Sequence, residues 1–175
     1  QAMARSLKVL AIGNSFSQDS MQHLYQIATD AGIEDVVIGN LYIGGSSLEV
    51  HWSNAKHNLS NYRYDKNVDG TWRSIPNRTI LHGLLDEDWD IITVQQVSGY
   101  SGIPASFLEQ DRLQNLINYV NEHKTNPNAK IAWHLTWAYQ EDSTHNNFRL
   151  YNSSQEEMFA AIIDTVQSEI VVGAI

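Results

Sequence analysis

The feature that most limits what this chain can become is an alternation. A short apolar run stops at a glycine or a polar residue, and a stretch with helical spacing follows. Residues 7–12, 34–43, 90–95 and 130–136 are such runs, the first three rich in Val and Ile; each reads as a strand, and the first suits burial on both faces. Between them, Met21, Leu24, Tyr25, Ile27 and Ala28 give residues 19–31 the spacing of one apolar helical stripe, with Gly32 as its stop. Residues 48–59, 79–85, 107–123 and 153–170 also read as helices, the last with Ser153 or Ser154 as cap and glutamates in its first turn. Strands of this kind belong to a parallel sheet covered on both sides by right-handed crossovers. The predicted fold is therefore α/β: a three-layer α/β/α sandwich around a central parallel sheet, flavodoxin-like in outline. Alternating aromatics around Asp69-Gly70 predict a small hairpin, about 62–74, inserted in a connection. The final IVVGAI, residues 170–175, predicts a fifth parallel strand. A sheet that stops on a buried strand leaves apolar surface and an edge uncovered. That predicts a single domain over residues 1–175 that lacks its C-terminal part, or one that associates through the exposed strand.

Composition narrows the function. Eleven basic residues against 20 acidic ones give a formal charge of −9, with the basic residues scattered singly. Such a surface repels nucleic acid and anionic membranes. No apolar run approaches the roughly 18 residues that span a bilayer. The chain has no cysteine, which removes disulfides, thiolate metal sites and a cysteine nucleophile together. Seven histidines are present, but His51 and His57 stand six apart and no H-E-x-x-H pattern occurs. Neither a metal nor a cofactor is expected.

The chemistry concentrates at strand ends. In an open parallel sheet, ligands bind beyond the carboxyl ends of the strands, at the switch point of strand order. KVLAIGNSFSQ, residues 8–18, delivers Ser15 there, at the start of a helix whose amides favour negative charge. Helix capping is an equally open reading of that serine. YIGGSSL follows the second strand, where a glycine lets a backbone N–H approach a ligand; TVQQVS follows the third, where a glutamine can donate to the same point. A hydroxyl with two or three preorganised donors is what acyl transfer requires. His134, near the pocket, and His145, in a following loop, are the candidates to substitute for a base. Of Trp133 and Trp137 one should be core, while Tyr100 and Tyr139 can stack on a sugar ring.

With these residues the chain resembles the SGNH (GDSL-like) hydrolase superfamily, and within it an uncharacterised SGNH-like branch common in gut Bacteroidetes. IGNSFS stands where the first block carries Gly-Asp-Ser, so the resemblance makes Ser15 the nucleophile. GGSSL matches the second block and implies an oxyanion-hole amide from Gly45, with Gly44 as second choice. In DIITVQQVS the role of the third block's asparagine passes to Gln95, or less directly to Gln96. WHLTWAY, with His134 and Trp137, implies pocket lining. Asn14 replaces the aspartate of the first block, a residue that organises the turn. The superfamily's Asp-x-x-His pair is expected after the fifth strand, beyond residue 175. The resemblance thus implies a serine esterase or deacylase acting on an acylated carbohydrate, in a secreted or periplasmic setting. Two other readings stay open. One is a noncatalytic glycan-binding module with the same pocket and no base. The other is a flavodoxin-like cofactor binder, although GNSFSQDS lacks the second glycine and the threonines that would wrap a phosphate.

Overall fold

A computed structural model describes residues 5–174. Strand β1 (Ser6–Gly13) leads into α1 (Ser15–Gln22) and α2 (Leu24–Asp30), and β2 (Asp35–Tyr42) leads into α3 (Leu48–Lys56). The hairpin of β3 (Tyr62–Asn67) and β4 (Trp72–Arg78) precedes α4 (Ile80–Asp86) and β5 (Ile91–Val94). A short α5 (Ala105–Leu108), α6 (Arg112–His123), β6 (Lys130–Trp133) and, beyond a long loop, α7 (Gln155–Thr165) follow. The six strands form one sheet in the order β4-β3-β2-β1-β5-β6.

Strand β1 shows why both faces of this sheet are covered. Val9 and Ala11 pack with Met21 and Ala28 from α1 and α2 on one side. Leu10 and Ile12 pack with Leu48, Leu84 and Leu116 from α3, α4 and α6 on the other. All four side chains are buried, and full burial of a Leu or Ile contributes roughly 1.5–3 kcal/mol. Helix α6 turns Leu113, Leu116, Ile117 and Val120 to the same core. Helix α7 instead joins Phe148 and Tyr151 through Met158 and Ile162 in a smaller cluster. Because β2 lies on one side of β1 and β5 on the other, the switch point falls at the carboxyl ends of β1 and β5.

The sheet is mixed rather than wholly parallel. β1 pairs parallel with β2 and with β5, and β5 with β6, but β3 and β4 are antiparallel additions beyond β2. The hairpin expected at about 62–74 therefore extends the central sheet instead of standing apart from it. Tyr62 and Tyr64 are buried in the main core, and pairing relieves β2 of an open edge of backbone donors and acceptors. The outer strand β4 carries one extra residue between the pairs Tyr64↔Ile75 and Tyr62↔Arg78. This bulge contains Pro76 and Asn77, the latter at φ 57°.

Residues 170–174 do not form a fifth parallel strand. Val166–Ala174 continues α7 as a wider π-type helix. Buried side chains recur at Met158, Ile162, Thr165 and Ile170, and the last step of five residues suits the π turn. Val171 and Val172 are 69% and 82% exposed. A β-branched run thus reads locally as strand while the longer-range spacing of buried residues continues the helix. The association expected through a strand edge has no strand to use there; Ile175 lies outside the described residues.

Candidate active site

Three chain reversals meet at the side chain of Asn14. Strand β1 ends on Gly13, where a Cβ would collide with Ser17 Oγ and with the Gln95 side chain, so only glycine lets these segments close together. Asn14 is the N-cap of α1. Its Oδ1 accepts from the Phe16 amide at 3.0 Å and from Gln95 Nε2 at 2.6 Å. Its Nδ2 donates to Ser46 O at 3.1 Å. The amide orientations follow from these partners: one end of Asn14 faces an N–H and the other a carbonyl, so Gln95 must present its nitrogen. Gln95 Oε1 is left buried without a partner among the described residues.

Ser15, the first residue of α1, is exposed, and its hydroxyl has no hydrogen-bond partner among the described residues. Capping is performed by Asn14, so Ser15 is free of that duty. It stands where the partial positive charge of the helix N-terminus is strongest. Gly45, next to Ser46, is exposed and has φ 66°, a left-handed conformation that L side chains resist. Gly44 is also exposed. Ile43 N donates to Gly13 O at 3.2 Å, which ties this loop to the end of β1.

Beneath the glycine loop runs a buried relay that sequence reasoning missed. Ser46 Oγ lies 2.8 Å from Ile43 O and 3.1 Å from His51 Nε2, and His51 Nδ1 lies 2.7 Å from the Tyr62 hydroxyl. Asn54 Nδ2 donates to that hydroxyl at 3.4 Å. The direction follows: Tyr62 donates to Nδ1, Nε2–H donates to Ser46, and Ser46 donates to Ile43 O. Burial pushes the His51 pKa down to about 4, so the imidazole is neutral. It also raises the Tyr62 phenol above its usual range. The sequence signal is a histidine on the inner face of α3, whose spacing from His57 speaks only to metal binding.

The other candidate residues separate. Gln96 is fully buried and occupied by the fold: its Oε1 accepts from Leu48 N at 2.9 Å and Val97 N at 2.8 Å, and its Nε2 donates to Ser106 Oγ at 3.1 Å. His134 follows β6 directly. Its Nε2 is 3.1 Å from Ser20 Oγ on α1, its Nδ1 is buried with no partner among the described residues, and burial lowers its pKa. Trp137 is 53% exposed and packs on Phe16 with ring centroids 4.1 Å apart. Trp133, half-buried, is the member of the pair that packs against the core, on Phe107 at 5.2 Å. Trp137 lines a cleft of about 980 Å³, whereas Tyr100 lines a separate pocket of about 280 Å³ with Ser47 and Arg112. The two aromatics are therefore not in one cavity.

An Asp-x-x-His spacing does occur within the chain, at Asp142 and His145. The expectation that placed such a pair only beyond residue 175 passed over it. His145 Nδ1 accepts from Asn147 N at 3.1 Å, capping the 3-10 turn Asn146–Tyr151, and its ring stacks on Tyr139 at 4.6 Å. Asp142 lines the larger cleft and makes no hydrogen bond to His145. The pair is thus not arranged as orienter and base. Among the described residues no three His, Asp or Glu side chains gather as a metal site, and no helix is long and apolar enough to cross a membrane.

The solved structure of TesA superposes with a TM-score of 0.51 at 14% identity, over 92% of this chain and 71% of that one. The likeness shows a shared α/β fold. A DUF4886 family protein from Bacteroides uniformis is 41% identical and superposes with a TM-score of 0.88. That match covers 93% of this chain but 62% of the Bacteroides uniformis chain, so this chain spans less than two thirds of that relative's length. No curated protein matches. The model of DUF4886, a domain of unknown function, matches residues 8–174, and the chain therefore belongs to the DUF4886 family.

Proposed function

We propose that this chain carries the nucleophile and oxyanion-binding half of an SGNH-type serine esterase or deacylase whose substrate is an acylated carbohydrate. Ser15 Oγ attacks the ester carbonyl carbon. The carbonyl oxygen becomes negative between the Ser15 N–H, the Gly45 N–H and the second hydrogen of Gln95 Nε2, the first being committed to Asn14. Collapse expels the alcohol, and water releases the acyl group from Ser15. The observation that carries this reading is Asn14, which bonds the Gln95 side chain and Ser46 O while presenting the exposed Ser15 beside it. The hydrolase fold shared with TesA supports it.

The base is an Asp-His pair supplied from outside these 175 residues, since His145 Nδ1 is occupied by a backbone N–H. A fluorophosphonate probe tests the assignment on the natural full-length protein. Labelling that is lost in Ser15→Ala and kept in His145→Ala is expected. Absence of labelling in the wild type overturns the hydrolase reading. A second reading has one observation in its favour: no histidine among the described residues is held by a carboxylate. It is a noncatalytic glycan-binding module, and it predicts sugar binding with no labelling.

A further inference from the structure

The cleft between the β6–α7 loop and α7 is separate from the Asn14 hub but adjoins it through one contact. Its lining includes Trp137, Tyr139, Asp142, Gln155, Glu156 and Phe159. Trp137 and Phe159 are 53% and 58% exposed, so two large apolar side chains bear on one concavity instead of being spread over the surface. The aromatic side chains are braced from behind. Trp137 leans on Phe16, which follows Ser15 in the chain. Tyr139 stacks on His145, meets Phe148 edge-on at 5.7 Å, and its hydroxyl is 2.8 Å from Ser98 Oγ. Rings held in this way lose little freedom when a ligand stacks on them.

The polar lining restricts what that ligand can be. Two carboxylates, Asp142 and Glu156, and two amides, Gln140 and Gln155, border the rings, and no Lys or Arg lines the cleft. A carboxylate accepts hydrogen bonds and repels anions. The complementary ligand has apolar faces edged by hydroxyl donors and carries no negative charge. The volume of about 980 Å³ holds more than one sugar ring. A compact cation would match the charge but would leave most of that volume and both amides unused.

We infer that the Trp137–Phe159 cleft binds an uncharged oligosaccharide, the alcohol half of the ester cleaved at Ser15, and rejects uronic-acid glycans. This rests on the esterase reading for the identity of the reaction, but the binding is measurable without it. The experiment is isothermal titration of full-length Ser15→Ala protein with hexasaccharides of glucose, xylose, mannose and N-acetylglucosamine, with hexagalacturonate as the anionic arm. At least one neutral sugar is expected to bind, Trp137→Ala to weaken it at least tenfold, and Trp137→Phe to restore most of it. Hexagalacturonate is expected to bind only after Asp142→Asn and Glu156→Gln are combined. Failure of all four neutral sugars, preferential binding of hexagalacturonate by unaltered Asp142 and Glu156, or unchanged affinity in Trp137→Ala overturns the inference. Sugar binding in a protein that fluorophosphonate never labels would instead refute the esterase reading and leave the cleft assignment standing.

Discussion

Gln95 Nε2 donates to Asn14 Oδ1 at 2.6 Å, joining the ends of β5 and β1 across 81 positions of sequence. Since Asn14 also caps α1 and holds Ser46 O, its loss removes a cap worth about 1 kcal/mol and strands buried partners at a further 1–2 kcal/mol or so. Asn14→Ala is expected to lower stability by about 2–3 kcal/mol in urea unfolding. Asn14→Asp keeps both accepted bonds but sets a carboxylate oxygen, an acceptor, against Ser46 O, so it too is expected to be destabilised at neutral pH and to recover as acid protonates the carboxyl and restores a donor. A loss in Asn14→Asp that does not change with pH would show that the contact with Ser46 O contributes little.

Ser15 is exposed and its hydroxyl bonds to nothing among the described residues, so it contributes little to packing. Ser15→Ala is expected to leave the unfolding midpoint within about 0.5 kcal/mol of wild type while abolishing fluorophosphonate labelling. A large stability loss would mean that the side chain is structural.

His51 makes stability depend on pH. Its folded pKa of about 4 lies below the ordinary value of 6.5, so the unfolded chain binds more protons throughout that interval. Stability therefore falls as pH drops from about 6.5 to about 4 and this contribution levels off below. The loss is on the order of 3 kcal/mol. Urea midpoints at half-unit pH steps measure it. In His51→Phe the same slope should flatten, from a lower plateau because Ser46 and Tyr62 lose their shared partner.

Two glycines should respond differently to the same methyl group. At Gly13 a Cβ meets Ser17 and Gln95 in the buried hub, and overpacking of this kind costs roughly 1–3 kcal/mol. At Gly45 a Cβ meets nothing within 4 Å, but the φ of 66° is strained for alanine, at about 1 kcal/mol. Thermal unfolding of Gly13→Ala and Gly45→Ala is expected to rank them in that order.

Much of this was legible before any coordinates. Val9, Leu10, Ala11 and Ile12 are apolar at consecutive positions in a run too short for a helix, which suits a strand covered on both faces, and the exit from that strand puts Ser15 at the switch point. Other parts were not legible for physical reasons. Asp69-Gly70 specifies a turn between β3 and β4, but nothing local says that β3 will pair with β2. Ile170 to Val172 have strand propensity, while their helical fate depends on where Ile170 meets the core. Gln95 and Gln96 are neighbours that face opposite ways, one to Asn14 and one to Leu48 N, and a pattern of residue types cannot choose between them. Ser46, His51 and Tyr62 come from a loop, a helix and a strand, so their relay exists only once the sheet has formed. Asp142 and His145 were readable as a spacing; the bond from Asn147 that occupies His145 was not.

The bulge in β4 bears on how copies of this protein behave at high concentration. Pro76 offers no N–H to an incoming strand, and Arg73 and Arg78 flank it on the outermost strand. That border is a poor template for lateral growth, so the hairpin that finishes this side of the sheet also guards that edge against strand addition, while β6 forms the opposite edge.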